Sequence, residues 1–171
     1  MKKLPIIEIP HEVLREKALE VHDITEEILE LLDDMLYTMY QSKGVGLAAN
    51  QVGILKRVIV LDCRDEDEKP NPYKMVNPVI IGKSQEKSIC SEGCLSIPKE
   101  YADVERHNWV EVEYTDEHGK RLKIKAKGLL SIALQHEIDH LDGVMFIDYL
   151  SDFKRKRLLQ HLSKKRKQKK G

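Results

Sequence analysis

A chain of 171 residues, 41% hydrophobic and 34% charged, is long enough to bury roughly 70% of its unfolded surface within one domain. No run approaches the roughly 20 apolar residues of a membrane helix, and the opening Met1-Lys2-Lys3-Leu4-Pro5 lacks the apolar stretch of a secretory signal, so a cytoplasmic protein with no membrane partner is expected. The 29 basic and 29 acidic residues balance only in total: residues 154–171 hold ten Lys or Arg and no acid, and the body before them is correspondingly acidic. Such a basic block is either a solvated end or a contact for a polyanion such as RNA.

Asp23 followed three residues later by Glu26 has the form of a helix cap, and Ile24, Ile28, Leu31, Leu32, Met35, Leu36 and Met39 recur at helical spacing. An amphipathic helix is therefore expected over residues 24–42, running into Gly44. The two glycines of Gly44-Val45-Gly46 free the backbone for close approach to something, an ordinary turn being the alternative. Residues 57–62 and 75–81, short and rich in Val and Ile, read as strands on either side of a charged loop at 64–72, and Pro78 places the second at an edge or a bulge. Residues 109–114 and 121–126 alternate around turn residues at 116–119, which predicts a hairpin. Beyond Gly128 the pattern becomes apolar almost all round, through Leu129, Leu130, Ile132, Ala133, Leu134, Ile138 and Leu141, as in a helix buried in the core, with Gly143 suited to its C-terminal cap. Nothing rich in Gly, Ser or Pro divides the chain. Residues 1–150 are expected to form the domain, and residues 151–171 a basic, helical, partly frayed extension in which Leu158, Leu159 and Leu162 favour the helix.

The chemistry lies in the buried helix. His136 and His140 in His136-Glu137-Ile138-Asp139-His140 are four residues apart, so both imidazoles sit on one face, one turn apart, and can reach one metal. Glu137 can then approach a water at that metal without ligating it, as a general base must. Two histidines with flanking acids inside an apolar helix are costly to bury without partners, so metal binding is the better account. A catalytic site of this kind takes three protein ligands and keeps one position open. A third histidine six residues after His140 would fall on Phe146, no glutamate follows Glu137, and the remaining downstream histidine, His161, sits within the basic tail, so the third ligand should come from upstream. Cys90, Cys94, His107 and His118 are the candidates there. Cys94, beside Gly93, is the most suggestive, with a buried strand cysteine as the competing reading. Three cysteines in all, Cys63 included, are too few for a disulfide framework, and an odd count favours free thiols or metal ligands.

Three separated segments, Gly44-Val45-Gly46-Leu47-Ala48-Ala49-Asn50-Gln51, Glu92-Gly93-Cys94-Leu95-Ser96 and residues 135–143, match without a mismatch the motifs of one family. The sequence closely resembles the peptide deformylases. The resemblance implies that Cys94, His136 and His140 are the metal ligands, that Glu137 is the catalytic acid and base, and that Gln51 with the Leu95 amide forms the oxyanion site. It also implies one Fe²⁺ per chain, with Zn²⁺ or Ni²⁺ as substitutes, and hydrolysis of the formyl group from N-formylmethionyl nascent peptides. Cys90 has no metal role in this motif and is taken as a pocket or core residue.

Helical spacing places Leu129, Ile132 and Ala133 on the metal-facing side of the helix, where they line an apolar methionine pocket or simply pack the core. Gly44, Val45 and Gly46 look like the family's edge segment, against which the substrate main chain lies as an added strand, and Glu92 and Gly93 are grouped with them as substrate-binding. The expected fold class is α+β: antiparallel β-sheets packed around a buried central helix carrying the two histidines, with an N-terminal amphipathic helix and a C-terminal basic helix. Because the implied substrates emerge from the ribosome, the basic tail is a candidate contact for ribosomal RNA. The competing functions are a zinc endopeptidase and a structural-metal or RNA-binding module.

Overall fold

The computed structural model describes residues 1–64 and 69–170, so the loop expected at 64–72 falls partly outside the described residues. Helix α1 is Glu26–Gln41, and its N-cap is Thr25, whose hydroxyl accepts from the Ile28 N–H, rather than Asp23. Threonine wins because its hydroxyl sits at the position from which the third helical N–H is reached. At the other end, Lys43 and not Gly44 takes the left-handed conformation, with φ +59°. The Lys43 and Gly44 N–H groups close on the Tyr40 and Met39 carbonyls, so the stop is made by backbone hydrogen bonds even without a glycine at that position.

Seven strands follow: β1 Gly46–Ala48, β2 Val58–Asp62, β3 Pro72–Lys83, β4 Lys87–Cys94, β5 Ile97–His107, β6 Trp109–Thr115 and β7 Arg121–Lys127. Five form an antiparallel sheet in the order β1-β2-β3-β6-β7, and the β4-β5 hairpin, inserted between β3 and β6, forms a second sheet. Pro78 is in a central strand, and it is accommodated by a bulge: the β3-β6 register shifts between Val76 and Val79, with Asn77 at φ +51°. Helix α2, Gly128–Leu141, lies on one face of the five-stranded sheet, and α1 on the other. Strand β2 shows why residues 58–61 are apolar without alternation. Ile59 and Leu61 bury against Leu134, Ile138 and Leu141 of α2, while Val58 and Val60 bury against Leu32, Met35 and Met39 of α1.

Helix α2 ends as its sequence predicts. Asp142 is the C-cap, Gly143 turns left-handed at φ +76°, and the Gly143 and Val144 N–H groups bond to the His140 and Asp139 carbonyls. Helix α3, Asp152–Lys170, buries Leu158 and Leu162 among Ile9, Leu14, Ile97, Val104 and Phe146 and so lies along β5. No helix among the described residues is long and apolar enough to cross a membrane.

Candidate metal centre and catalytic cleft

The β4-β5 hairpin and α2 come from different parts of the chain and meet at one point. There Cys94, at the end of β4, and His136 and His140, one turn apart on α2, bring one ligand atom each within 4.8 Å of one another. Cys94 Sγ lies 3.3 Å from His140 Nε2, which lies 3.1 Å from His136 Nε2. His136 Nδ1 is 2.9 Å from Glu92 Oε1, and the carboxylate accepts a hydrogen bond from Nδ1–H, which leaves Nε2 aimed at the centre. Of the four upstream candidates for the third ligand, only Cys94 is in this cluster. His107 Nδ1 is instead engaged with the Ser84 carbonyl.

Burial pushes both imidazoles down. For His136, the surrounding Cys94, Glu137 and Glu92 outweigh burial and hold the ring well above its ordinary value. For His140, burial is reinforced by His136 and Arg106, and the ring is pushed well below its ordinary value. One thiolate with two imidazoles, converging on one point, is a donor set that suits either zinc or ferrous iron. The residues fit the expected metal.

Glu92 is itself held by Arg106. The guanidinium donates to Glu92 Oε2 from Nε at 2.6 Å and to Oε1 from Nη2 at 2.8 Å, and to Asp139 Oδ2 from Nη1 at 2.8 Å. The Tyr149 hydroxyl completes the network at Asp139, and its ring lies 4.8 Å from the guanidinium carbon. Burial pushes the Glu92 carboxyl up, but Arg106 and His136 outweigh it and hold the group below the usual carboxylate range. Both Glu92 oxygens are thus engaged by His136 and Arg106. Glu92 lines the cleft, and its carboxylate is held between the His136 imidazole and the Arg106 guanidinium.

A cleft of about 470 Å³ opens over the cluster. Gly44, Val45 and Gly46 form one wall, Glu92, Gly93 and Leu95 another, and Leu129, Ile132 and Ala133 of α2 a third, with His136, Glu137, Cys94 and Gln51 at the same concavity. His140 lies behind these, 1% exposed. The second glycine of the first motif has a visible purpose: a Cβ on Gly46 would come within 2.5 Å of Glu137 Oε2, so only glycine lets the carboxylate lie against β1. Burial pushes the Glu137 carboxyl up to about 7, and Oε1 has no partner among the described residues. The Gln51 amide is oriented without ambiguity, since Oε1 accepts the Ala48 N–H at 3.0 Å. That turns Nε2 toward Ser96 Oγ at 3.0 Å and Cys94 Sγ at 3.5 Å.

The sequence reading missed two parts of this site. Arg106 and Tyr149 carry no motif signal, and Asp139, although it lies inside the 135–143 motif, was given no role there; yet an arginine at an inward-facing position of β5 is one that only a buried carboxylate would tolerate. Asp62 is the other. Its carboxylate takes the Asn71 N–H at 2.9 Å and the Tyr40 hydroxyl, and its N–H bonds to the Val45 carbonyl at 2.9 Å, which fixes the edge segment of the cleft.

A family model described as polypeptide deformylase matches residues 3–156. The chain belongs to the peptide deformylase family. The peptide deformylase of Rhizobium meliloti strain 1021 is 48% identical over 160 residues, 94% of this chain and 92% of that protein. That of Bartonella henselae is 46% identical over 169 residues, 99% of this chain and 96% of that one. Among solved structures, the Ehrlichia chaffeensis peptide deformylase in complex with actinonin superposes with a TM-score of 0.92 at 41% identity, covering 96% of this chain and 98% of that one. Membership decides between the readings left open by the sequence: the protein is an enzyme of the deformylase type, a metal-site hydrolase, and neither a zinc endopeptidase nor a structural-metal module.

Proposed function

We propose that this deformylase works in the cytoplasm on N-formylmethionyl nascent peptides, with Fe²⁺ held by Cys94, His136 and His140 and with Zn²⁺ or Ni²⁺ able to replace it. The convergence of those three ligand atoms at a cleft that also presents Glu137 and Gln51 carries the reading. A divalent ion bound there supplies a Lewis acid that polarises a carbonyl oxygen and lowers the pKa of water toward neutrality. Glu137 takes the proton of the water that attacks the formyl carbon and returns it to the departing nitrogen, without which the amine is a poor leaving group. The charge that collects on the formyl oxygen is met by Gln51 Nε2–H and the Leu95 N–H, and one such donor is worth about 3 kcal/mol of barrier.

Leu129, Ile132 and Ala133 receive the methionine side chain, an unbranched apolar group that fills an irregular pocket well. The Gly44 to Gly46 edge and Gly93 take the peptide backbone as an added strand, which reads no side chain beyond the first residue and suits an enzyme that meets every nascent chain. Protein prepared without oxygen is expected to release formate from formyl-Met-Ala-Ser with no internal chain cleavage, to stop when chelated, and to recover with Fe²⁺. Turnover that survives metal removal, or cleavage within the chain, counts against the proposal. Anaerobic preparation matters because a ferrous centre bound by a thiolate is open to oxidation at both metal and sulfur.

The basic tail supports a contact to ribosomal RNA phosphates. Deleting residues 164–171 is expected to weaken co-sedimentation with ribosomes at low salt and to leave formyl-Met-Ala-Ser hydrolysis unchanged. Undiminished co-sedimentation would dispose of the idea.

A further inference from the structure

Strand β5 is a wall between two concavities. On one side Lys99, Glu100 and Tyr101 line the catalytic cleft. On the other, Glu100, Tyr101 and Asp103 face α3 across a groove of about 570 Å³. Glu100 and Tyr101 therefore line both spaces. The Tyr101 ring lies against Gly93, where a Cβ would meet its Cε1 at 2.5 Å, and the side chain is 70% exposed. An aromatic face standing open where a substrate cleft ends is a surface over which a peptide chain can pass.

The far wall of the groove is basic for a reason set by α3. Burying Leu158 and Leu162 turns the helix so that Lys154, Arg157, His161 and Lys164, spaced three, four and three apart, share the groove-facing side. Glu100, which would otherwise neutralise them, is already engaged: its Oε1 lies 2.5 Å from His161 Nδ1 and 3.1 Å from Lys165 Nζ. Among the described residues the side chains of Lys154, Arg157 and Lys164 pair with no carboxylate. Asp103 is then the one acid of the lining left to oppose three cations.

We infer that this groove is a downstream subsite of the cleft, which takes the acidic side chains of the peptide being deformylated. The inference rests on the deformylase reading above. A substrate anchored by its first residue leaves the cleft extended, at about 3.3 Å per residue, and the groove shares Glu100 and Tyr101 with the cleft. Aspartates and glutamates spaced along such a chain meet the cations and pass Asp103, whereas a nucleic-acid backbone sets an unbroken row of charge against that aspartate. Contacts of this kind are weak singly and screened by salt, so the effect is one of rate preference, about fivefold for a favourable pair.

The test uses the metal-loaded enzyme and a set of formylmethionyl dodecapeptides, otherwise neutral, in which a pair of aspartates or a pair of lysines is stepped along the chain. The aspartate pair is expected to raise kcat/KM about fivefold over one contiguous window beyond the first residues, the lysine pair to lower it there, and high salt to erase both effects. The triple variant Lys154→Ser, Arg157→Ser, Lys164→Ser should flatten the profile while hydrolysing formyl-Met-Ala-Ser at the wild-type rate. A wild-type profile that is flat while the short peptide turns over normally overturns the inference alone. So does a triple variant that keeps the profile, or one that loses only ribosome binding, which assigns the groove to RNA. Absent formate release from the short peptide in the wild type overturns the catalytic reading and this one with it.

Discussion

Replacing Glu137 by glutamine is expected to reduce kcat for formate release by about 10²–10⁴-fold, the usual contribution of a positioned acid or base. On the proposed roles the loss falls on chemistry alone. The amide keeps the shape of the side chain against Gly46, where no added atom is tolerated, and Glu137 is outside the cluster of ligand atoms, so metal content measured on the purified variant should equal that of the wild type. The fold should not suffer either. In the parent, a buried carboxyl is pushed up to about 7 and one of its oxygens is unpartnered, a burial that is unfavourable for the ionised form. A neutral amide removes that term, and urea unfolding of the variant should occur at the same concentration of denaturant or a higher one. An enzyme that loses turnover while holding its metal and its stability has lost a reacting group. Turnover within tenfold of the wild type would remove Glu137 from the proposed mechanism.

How much of this was visible in the sequence depends on the distance between the residues involved. The α2 helix, its two histidines and its Gly143 stop are local, because a spacing of four residues already specifies one face and one turn. The third ligand is not local. Four upstream residues, Cys90, Cys94, His107 and His118, satisfied every spacing argument, and only the motif resemblance singled one out before the hairpin was seen to carry Cys94 to α2. That hairpin gave no periodic signal of its own. The inward positions of β5 include Glu100 and Arg106 beside Val104, so the alternation is one of charge as well as apolarity and does not read as a half-buried strand. Caps were missed for a smaller reason: Asp23 and Thr25 both carry an oxygen suited to capping, and the choice depends on which one the first turn reaches. The orienting network beyond the ligands was invisible because Arg106 is 33 residues before Asp139 and Tyr149 ten after it, and the three meet only across β5, α2 and the turn after it.

That network carries the second large effect. Arg106→Met is expected to destabilise the protein by about 3–5 kcal/mol, the usual consequence of removing one partner from a buried ion pair. The loss is a large part of the ~5–15 kcal/mol by which a domain of this kind is stable. The magnitude follows from what is left behind. Arg106 and Glu92 have side chains 4% exposed, and removing the arginine strands the Glu92 carboxylate and takes a partner from Asp139 as well. Glu92→Gln should be milder, because Arg106 keeps Asp139 and the Tyr149 ring, and the amide oxygen can still accept from His136 Nδ1. Its main effect is expected elsewhere: a weaker acceptor holds the imidazole less firmly, so the affinity for metal, read by competition with a chelator, should fall about 10–100-fold. Combining the two substitutions removes the stranded charge, so the double variant should lose less in urea unfolding than its parents lose together. Strict additivity would mean that Arg106 and Glu92 act separately, and that the 2.6 Å contact between them has no energetic consequence for the site.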